Sequence, residues 1–309
     1  MGDGQALGLV YLPVELLYDI YTLALSPALP LTCRHLHAVF KSAPLTLHAQ
    51  YLIRSYHESA KNSASARAVG LVSKILRYPI CTREVLEAVF RSPECPHIPP
   101  SKDEDRGHTV LPRHIFRNLA PRDAPGQRQW TEFDEPLPFL EFLYTDPRIP
   151  LPATNSYEGY ALTRAVYAGF TPLVRFLLAH DAVPACKGDL AVTVAIRRKS
   201  LPLVRMLIER DGSAPGPTFG ILAGEPRGES RKRRRSAKDE DGGGKDSGRR
   251  SKKMRMEAGN KRRKLGDRLS ATPDMLKTAI KCDARDIAEY LMKEKGVVPD
   301  MQTVLMMGR

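Results

Sequence analysis

Two stretches of this 309-residue chain, residues 161–181 (ALTRAVYAGFTPLVRFLLAHD) and 191–211 (AVTVAIRRKSLPLVRMLIERD), align without a gap at a spacing of 30 residues, with nine of 21 positions identical. Self-similarity at such a period constrains the fold strongly, because a unit of that size cannot bury its apolar face alone and must stack on its neighbours. The matched pairs include Ala165/Ala195, Pro172/Pro202, Leu173/Leu203, Val174/Val204, Arg175/Arg205 and Leu177/Leu207. Each copy reads as two short helices divided at the proline, which forfeits no hydrogen bond in a first turn and bars the preceding helix from running on. A third copy lies in residues 275–296, where Ala279-Ile280 and Ile287-Ala288-Glu289-Tyr290-Leu291-Met292 match Ala165-Val166 and residues 173–178. Thr272-Pro273-Asp274 ahead of it supplies an N-cap, a first-turn proline and an acid suited to a helix N-terminus. Upstream, Phe139-Leu140-Glu141-Phe142-Leu143-Tyr144 reads as the second helix of an earlier copy, with residues 114–119 as its first. Asn155-Ser156-Tyr157-Glu158 has capping-box spacing before the helix that carries Ala161 and Ala165.

At Ala165, Gly169, Leu173-Val174, Leu177-Leu178 and Ala182 the first copy resembles an ankyrin repeat, whose A…G…(I/V)V…LL…GA pattern has those residue types in that order. The opening TPLH of that family is absent, Lys199 and Asp283 replace the mid-repeat glycine, and the spacing is shorter than the family's ~33 residues. The resemblance implies a solenoid of helical hairpins over residues 136–305, with one extended face left for partners.

The chain carries a formal net charge of +13, which raises the question of nucleic acid. Residues 225–268 hold 18 Lys and Arg against 8 Asp and Glu, so the rest of the chain is left at only +3. That segment has few apolar residues, no aromatic and a GGG, and cannot bury enough surface to offset its ordering entropy, so it reads as a disordered insert within the repeats. Two clusters in it, Arg231-Lys232-Arg233-Arg234-Arg235 and Lys261-Arg262-Arg263-Lys264, suit capture by the acidic grooves of an import receptor. The alternatives are a solvated loop and nonspecific phosphate binding driven by counterion release. With no aromatic between the basic residues, base stacking is unsupported.

Residues 9–40, LVYLPVELLYDIYTLALSPALPLTCRHLHAVF, read differently. Pro13 starts a helix on which Leu12, Leu16, Leu17, Ile20 and Leu23 form an apolar stripe at helical spacing. Leu12-Pro13-Val14-Glu15-Leu16-Leu17-Tyr18-Asp19-Ile20 resembles the opening LPxELLxxI of an F-box, and Cys33-Arg34-His35-Leu36 resembles its later C-R-x-L element. Between Ser26 and Cys33 the chain is about one helical turn shorter than that family, with Pro27 and Pro30 in the gap. The resemblance implies that Leu12, Pro13, Leu16, Leu17 and Ile20 bind the small adaptor subunit of a cullin-RING ubiquitin ligase, while the rest of the chain recruits a protein substrate. Alternatively, the segment caps the first hairpin of the stack, with Leu16, Leu17 and Ile20 in the core.

Other patterns point away from chemistry. The five cysteines, Cys33, Cys81, Cys95, Cys186 and Cys282, form no CxxC pair, and a reducing compartment suits them. Cys33, His35 and His37 alternate and so point to different sides of a helix, with no fourth ligand nearby for zinc. No phosphate-binding glycine loop, HExxH, GxSxG or EF-hand loop occurs, and no cofactor, catalytic residue or metal site is expected. Arg164, Arg175, Arg198 and Arg205 recur on the repeat helices, as a face for an acidic partner or as solvated positions. Trp130 is expected to anchor its loop by packing. Residues 10–31, the most apolar stretch, are broken by Glu15, Asp19 and three prolines, so no membrane span or membrane partner is expected, and MGDGQALGLVYLP carries no secretion or lipidation signal.

The expected fold is all-α: an F-box-like segment at 9–43, helical hairpins and a loop at 44–135 with helices at 45–56, 66–77 and 82–91, ankyrin-like repeats at 136–224, the basic insert at 225–268 and a final repeat at 269–309. The expected function is a non-enzymatic interaction adaptor in the nucleus or cytoplasm, with a nuclear scaffold carrying a vestigial F-box, or a nucleic-acid-associated protein, as the alternatives.

Overall fold

The computed structural model describes residues 8–62, 70–96, 108–124, 126–210 and 267–307. Among these the chain is all-α, with fourteen α-helices and one parallel sheet of two strands, each two residues long. No helix among the described residues is long and apolar enough to cross a membrane.

The N-terminal helices gather on α3 (Leu45–Asn62), against which α1 (Val14–Ala24), α4 (Leu71–Ile75) and α5 (Arg83–Arg91) all pack. Between α1 and α3 run a 3-10 turn (Leu29–Leu31) and α2 (Arg34–Lys41). Thr82 caps α5 as its sequence suggests, its hydroxyl accepting from Val85 N at 3.4 Å. Tyr51 of α3 stacks on Tyr21 of α1, with ring centroids 4.2 Å apart, and meets Tyr78 edge-on at 5.9 Å. The hydroxyls of Tyr51 and Ser55 are buried there close to each other and to that of Tyr21, in geometry too poor for a well-formed hydrogen bond. Tyr51→Phe is therefore expected to leave stability unchanged or raise it by about 1 kcal/mol, because it removes a desolvated, unsatisfied group and keeps the ring. A urea-unfolding curve showing a loss of more than about 1 kcal/mol would mean that the hydroxyl has a partner.

Strands β1 (Thr109–Val110) and β2 (Pro152–Ala153) join this group to the hairpins. Val110 N donates to Ser73 Oγ at 3.0 Å and Leu111 N to Ser156 Oγ at 3.2 Å. Helices α6 (His114–Arg117) and α7 (Leu137–Thr145) follow as the irregular upstream pair. Helix α6 packs on α8, while Tyr144 of α7 meets the Phe176 ring of α9 edge-on at 5.3 Å.

Three regular hairpins come next: α8 (Ser156–Ala168) with α9 (Thr171–Ala179), α10 (Cys186–Arg197) with α11 (Leu201–Ile208), and α12 (Pro273–Lys281) with α13 (Arg285–Lys293). First helices pack on first helices and second on second, so that α8, α10 and α12 form one row and α9, α11 and α13 another. A last helix, α14 (Met301–Met307), lies against α12. The repeated alanines and leucines, Ala165, Ala195, Ala279, Leu177, Leu207 and Leu291, are all fully buried between the rows. Thr272 caps α12 by accepting from Met275 N, with Pro273 in the first turn.

Each hairpin turns by the same device. Gly169, Lys199 and Asp283 all adopt left-handed backbone, with φ of 70, 53 and 52°. The following N–H bonds back to the alanine carbonyl five residues earlier: Phe170 to Ala165, Ser200 to Ala195 and Ala284 to Ala279. This is a Schellman closure, and it recurs where glycine has been replaced, because the two hydrogen bonds it makes offset the modest cost of a left-handed lysine or aspartate. In the first copy a Cβ at 169 would in addition lie 2.8 Å from Arg198 Nη2, so a larger residue there would displace that guanidinium.

The starts of α8 and α10 differ from expectation. Tyr157, Glu158 and Gly159, and 30 residues later Lys187, Gly188 and Asp189, are all left-handed. Asn155 consequently makes no capping bond. Its side chain ties the next connection instead, donating to Asp181 O at 3.1 Å and accepting from Val183 N at 2.8 Å.

The third hairpin stacks directly on the second although residues 211–266 separate them in the chain. The two flanks of that segment meet: Glu209 and Asp267 form an antiparallel bridge, and Arg268 donates to the carbonyls of Met206 and Glu209 at 3.0 and 2.8 Å. Lys295 stands between Glu209, at 2.9 Å, and Asp267, at 3.0 Å, while the Tyr290 hydroxyl donates to Glu209 at 3.0 Å. Asp267 and Arg268, at the end of the expected insert, are thus part of the folded structure. The rest of that insert lies outside the described residues.

Candidate functional site

Helix α1 presents two adjacent apolar faces, and only one of them is covered. Leu17 is 1 % exposed and Tyr21 stacks on Phe40, centroids 4.4 Å apart, so this face belongs to the core. Leu16 is 48 % and Leu23 74 % exposed, one face away at positions i and i+7, with the half-buried Ile20 between them. Leu12 is half-buried against the core. Pro13 is exposed and sits at the N-cap, one step before the first turn expected for it, with its carbonyl accepting from Leu17 N at 3.2 Å. Leu9, Val10 and Tyr11, in a 3-10 turn, together with Val14 and Leu31, are further exposed apolar side chains of this segment. The five residues singled out in the sequence therefore do not share one exposed face: Leu17 is buried, while Leu16 and the half-buried Ile20 lie with Leu23 on an open side.

The C-R-x-L element has a plain physical basis. Cys33 caps α2, its Sγ accepting from Leu36 N at 3.4 Å, and Leu36 is buried. The gap between Ser26 and Cys33 holds the single 3-10 turn Leu29–Leu31, which packs on α2.

The other sequence candidates are dispersed. His35 and His37 are exposed, and no group of His, Cys, Asp or Glu among the described residues could hold a metal ion. Burial pushes the Cys81 thiol up to about 12, so it stays protonated and unreactive at neutral pH. Arg164 and Arg198 hold carbonyl oxygens: Arg164 those of Arg117 and Leu119, at 2.8 and 2.5 Å, and Arg198 that of Tyr167, at 2.5 Å. Arg205 pairs with Glu294 and Arg175 is exposed, so the four arginines form no common face. Trp130 packs as expected, stacked on Phe170 with centroids 4.7 Å apart and donating to Ala168 O at 3.0 Å. The clusters Arg231-Lys232-Arg233-Arg234-Arg235 and Lys261-Arg262-Arg263-Lys264 lie outside the described residues.

Sequence reading missed the Lys295, Glu209 and Asp267 cluster. Its one signal was Tyr290, a hydroxyl at the repeat position that Phe176 and Met206 occupy in the other copies. No family model, no curated protein and no solved structure matches the chain.

Proposed function

We propose that the chain is a non-enzymatic interaction adaptor in which the face of Leu16, Ile20 and Leu23, with Leu12 and Pro13 beside it, docks onto the small adaptor subunit of a cullin-RING ubiquitin ligase. The stack of ankyrin-like hairpins would then recruit a protein substrate. The observation that carries this reading is the division of α1 into a buried face and an open apolar one. A segment that merely capped the hairpins would have buried Leu16 and Leu23 with Leu17, since water contact costs about 25 cal/mol per Å² of apolar surface left exposed. Amphipathic helices that dock into a partner's groove keep such residues available at this spacing.

The basic clusters at 231–235 and 261–264 add an import receptor as a second partner in the same proposal. What favours it is the closed base of the intervening segment, where Glu209 and Asp267 meet, so that the hairpins stack without it.

The test is co-purification of the full chain with the ligase adaptor subunit, comparing wild type with Leu16→Asp/Leu23→Asp. Both positions are solvent-exposed, so the variant should keep wild-type helicity by circular dichroism and lose more than about tenfold in affinity, as expected for truncating central apolar anchors. Leu17→Asp is a poor probe because it would place a charge in the core. Equal capture of variant and wild type, or no capture of wild type, would remove the proposal and leave the nuclear-scaffold reading.

A further inference from the structure

A second surface stands out by its charge. Helix α6 lies across α8, and Arg164 of α8 fixes it there by donating to the carbonyls of Phe116, Arg117 and Leu119. Arg113, immediately before α6, stacks its guanidinium over two rings of the α8 segment, 4.8 Å from the Tyr157 centroid and 5.5 Å from that of Tyr160. Arg164 itself lies 4.9 Å from the Tyr167 centroid. Arg113, Arg117, Tyr157 and Tyr167 are exposed.

Several arginines elsewhere meet carboxylates, Arg83 and Arg91 on Glu87, Arg148 on Asp146 and Arg205 on Glu294, while Arg34, Arg77, Arg175 and Arg197 stand exposed without stacking on a ring among the described residues. Here none of Arg113, Arg117 and Arg164 has a carboxylate partner among the described residues. Two acids of the adjoining loop are engaged with other arginines, Asp123 with Arg198 at 2.6 Å and Asp134 with Arg122 at 3.4 Å. The one acid on α8 beside them, Glu158, is exposed and forms no ion pair with these arginines among the described residues. Arg164 faces carbonyl oxygens and the Tyr167 ring rather than a carboxylate.

We propose that Arg113, Arg117, Arg164, Tyr157, Tyr160 and Tyr167 form a docking surface for an acidic segment of a partner protein. The charge is complementary to carboxylates, which arginine binds in a planar, bidentate fashion. Stacking on tyrosine holds Arg113 in place before binding, which lowers the entropy lost on engagement. Tyrosine and arginine together are also the residue types that dominate interface energetics. Single-stranded nucleic acid fits less well, since it calls for a basic groove that follows a backbone and for free aromatic platforms, whereas these rings already carry guanidinium groups. The proposal supplies the substrate-recruiting half of the adaptor reading, yet its test does not involve the ligase subunit and can fail independently of it.

The experiment is fluorescence anisotropy of a labelled peptide of alternating Glu and Ser against the full-length chain, with single-stranded RNA as a second probe. Arg113→Glu/Arg117→Glu is expected to weaken peptide binding by about tenfold or more, and Tyr157→Ala/Tyr160→Ala by a smaller factor in the same direction. Arg197→Glu, an exposed arginine outside this surface, is expected to change binding less than about twofold. Circular dichroism of each variant checks folding. Peptide binding that survives Arg113→Glu/Arg117→Glu would assign it to the basic segment at 225–268 and overturn the proposal. RNA binding that falls with the same variant while peptide binding does not would overturn it in favour of nucleic acid.

Discussion

Replacing Phe170 by alanine is expected to cost about 3–5 kcal/mol of stability, among the largest effects of any single change to the hairpins. The ring is fully buried at the turn between α8 and α9. On one side it supports Trp130, stacked at 4.7 Å, and Trp130 in turn lies 3.4 Å beneath the Arg122 guanidinium. The same loop is braced by Asp134, whose carboxylate accepts from Thr131 N and Oγ1 at 2.7 and 2.9 Å, and these bonds hold it below the usual carboxylate range. Deleting the Phe170 ring leaves a cavity and takes away the platform on which this loop rests. Trp130 is the only tryptophan, so its emission reports on the junction directly. In urea the Phe170→Ala variant should show red-shifted emission and a lower midpoint. Unchanged emission with a loss under about 1 kcal/mol would mean that the loop is held elsewhere.

Lys295→Met is expected to cost about 2–3 kcal/mol, less than a fully buried pair because Glu209 and Asp267 keep part of their hydration. The Lys295 side chain is 8 % exposed and its ammonium sits between two carboxylates, so its removal leaves them facing each other with no cation between. Burial alone would raise the Glu209 carboxyl, but hydrogen bonds from Lys295 and Tyr290 and the nearby positive charges outweigh it and hold the group below its ordinary range. Burial likewise opposes the charge on Lys295, yet the bonds to Glu209 and Asp267 raise it above its usual value. The two signs define a window. The depressed carboxyl contributes stability above its unfolded pKa of ~4.3, lost as pH falls through the folded value; the raised ammonium contributes below its unfolded ~10.4, lost as pH rises through the folded one. Wild type should therefore lose thermal stability as the pH falls below about 5, from the unfolded carboxyl pKa of ~4.3 down through the lower folded value. In Lys295→Met the Glu209 carboxyl loses the ammonium that holds it down and becomes easier to protonate, so this limb should flatten or reverse. A variant whose acid limb parallels that of wild type would show that the cluster does not hold the two flanks together.

The hairpins were legible in the sequence because their determinants are local: Pro172 and Pro202 divide the helices, and Ala165 and Leu177 recur with their counterparts at fixed spacing. The left-handed turns at Lys199 and Asp283 were hidden, since their support is a pair of backbone hydrogen bonds rather than a residue type. Asn155 looked like a cap because capping is read from spacing, but its side chain is engaged by a connection some thirty residues away. The arginines of the repeats misled for a related reason. Arg164 and Arg198 do not occupy equivalent repeat positions, and each satisfies the carbonyls of a different helix end. The stripe on α1 was visible, whereas its division between Leu17 and Leu16 depends on where α3 lies.

The proposed adaptor role rests on the open face of α1, and hydrogen–deuterium exchange of the full chain, free and saturated with the ligase adaptor subunit, tests it most directly. The expected result is slowed exchange over residues 9–31, with the core amides of α8–α13 unchanged. Unaltered exchange over residues 9–31 in the saturated complex, or protection confined to the hairpins, would contradict it.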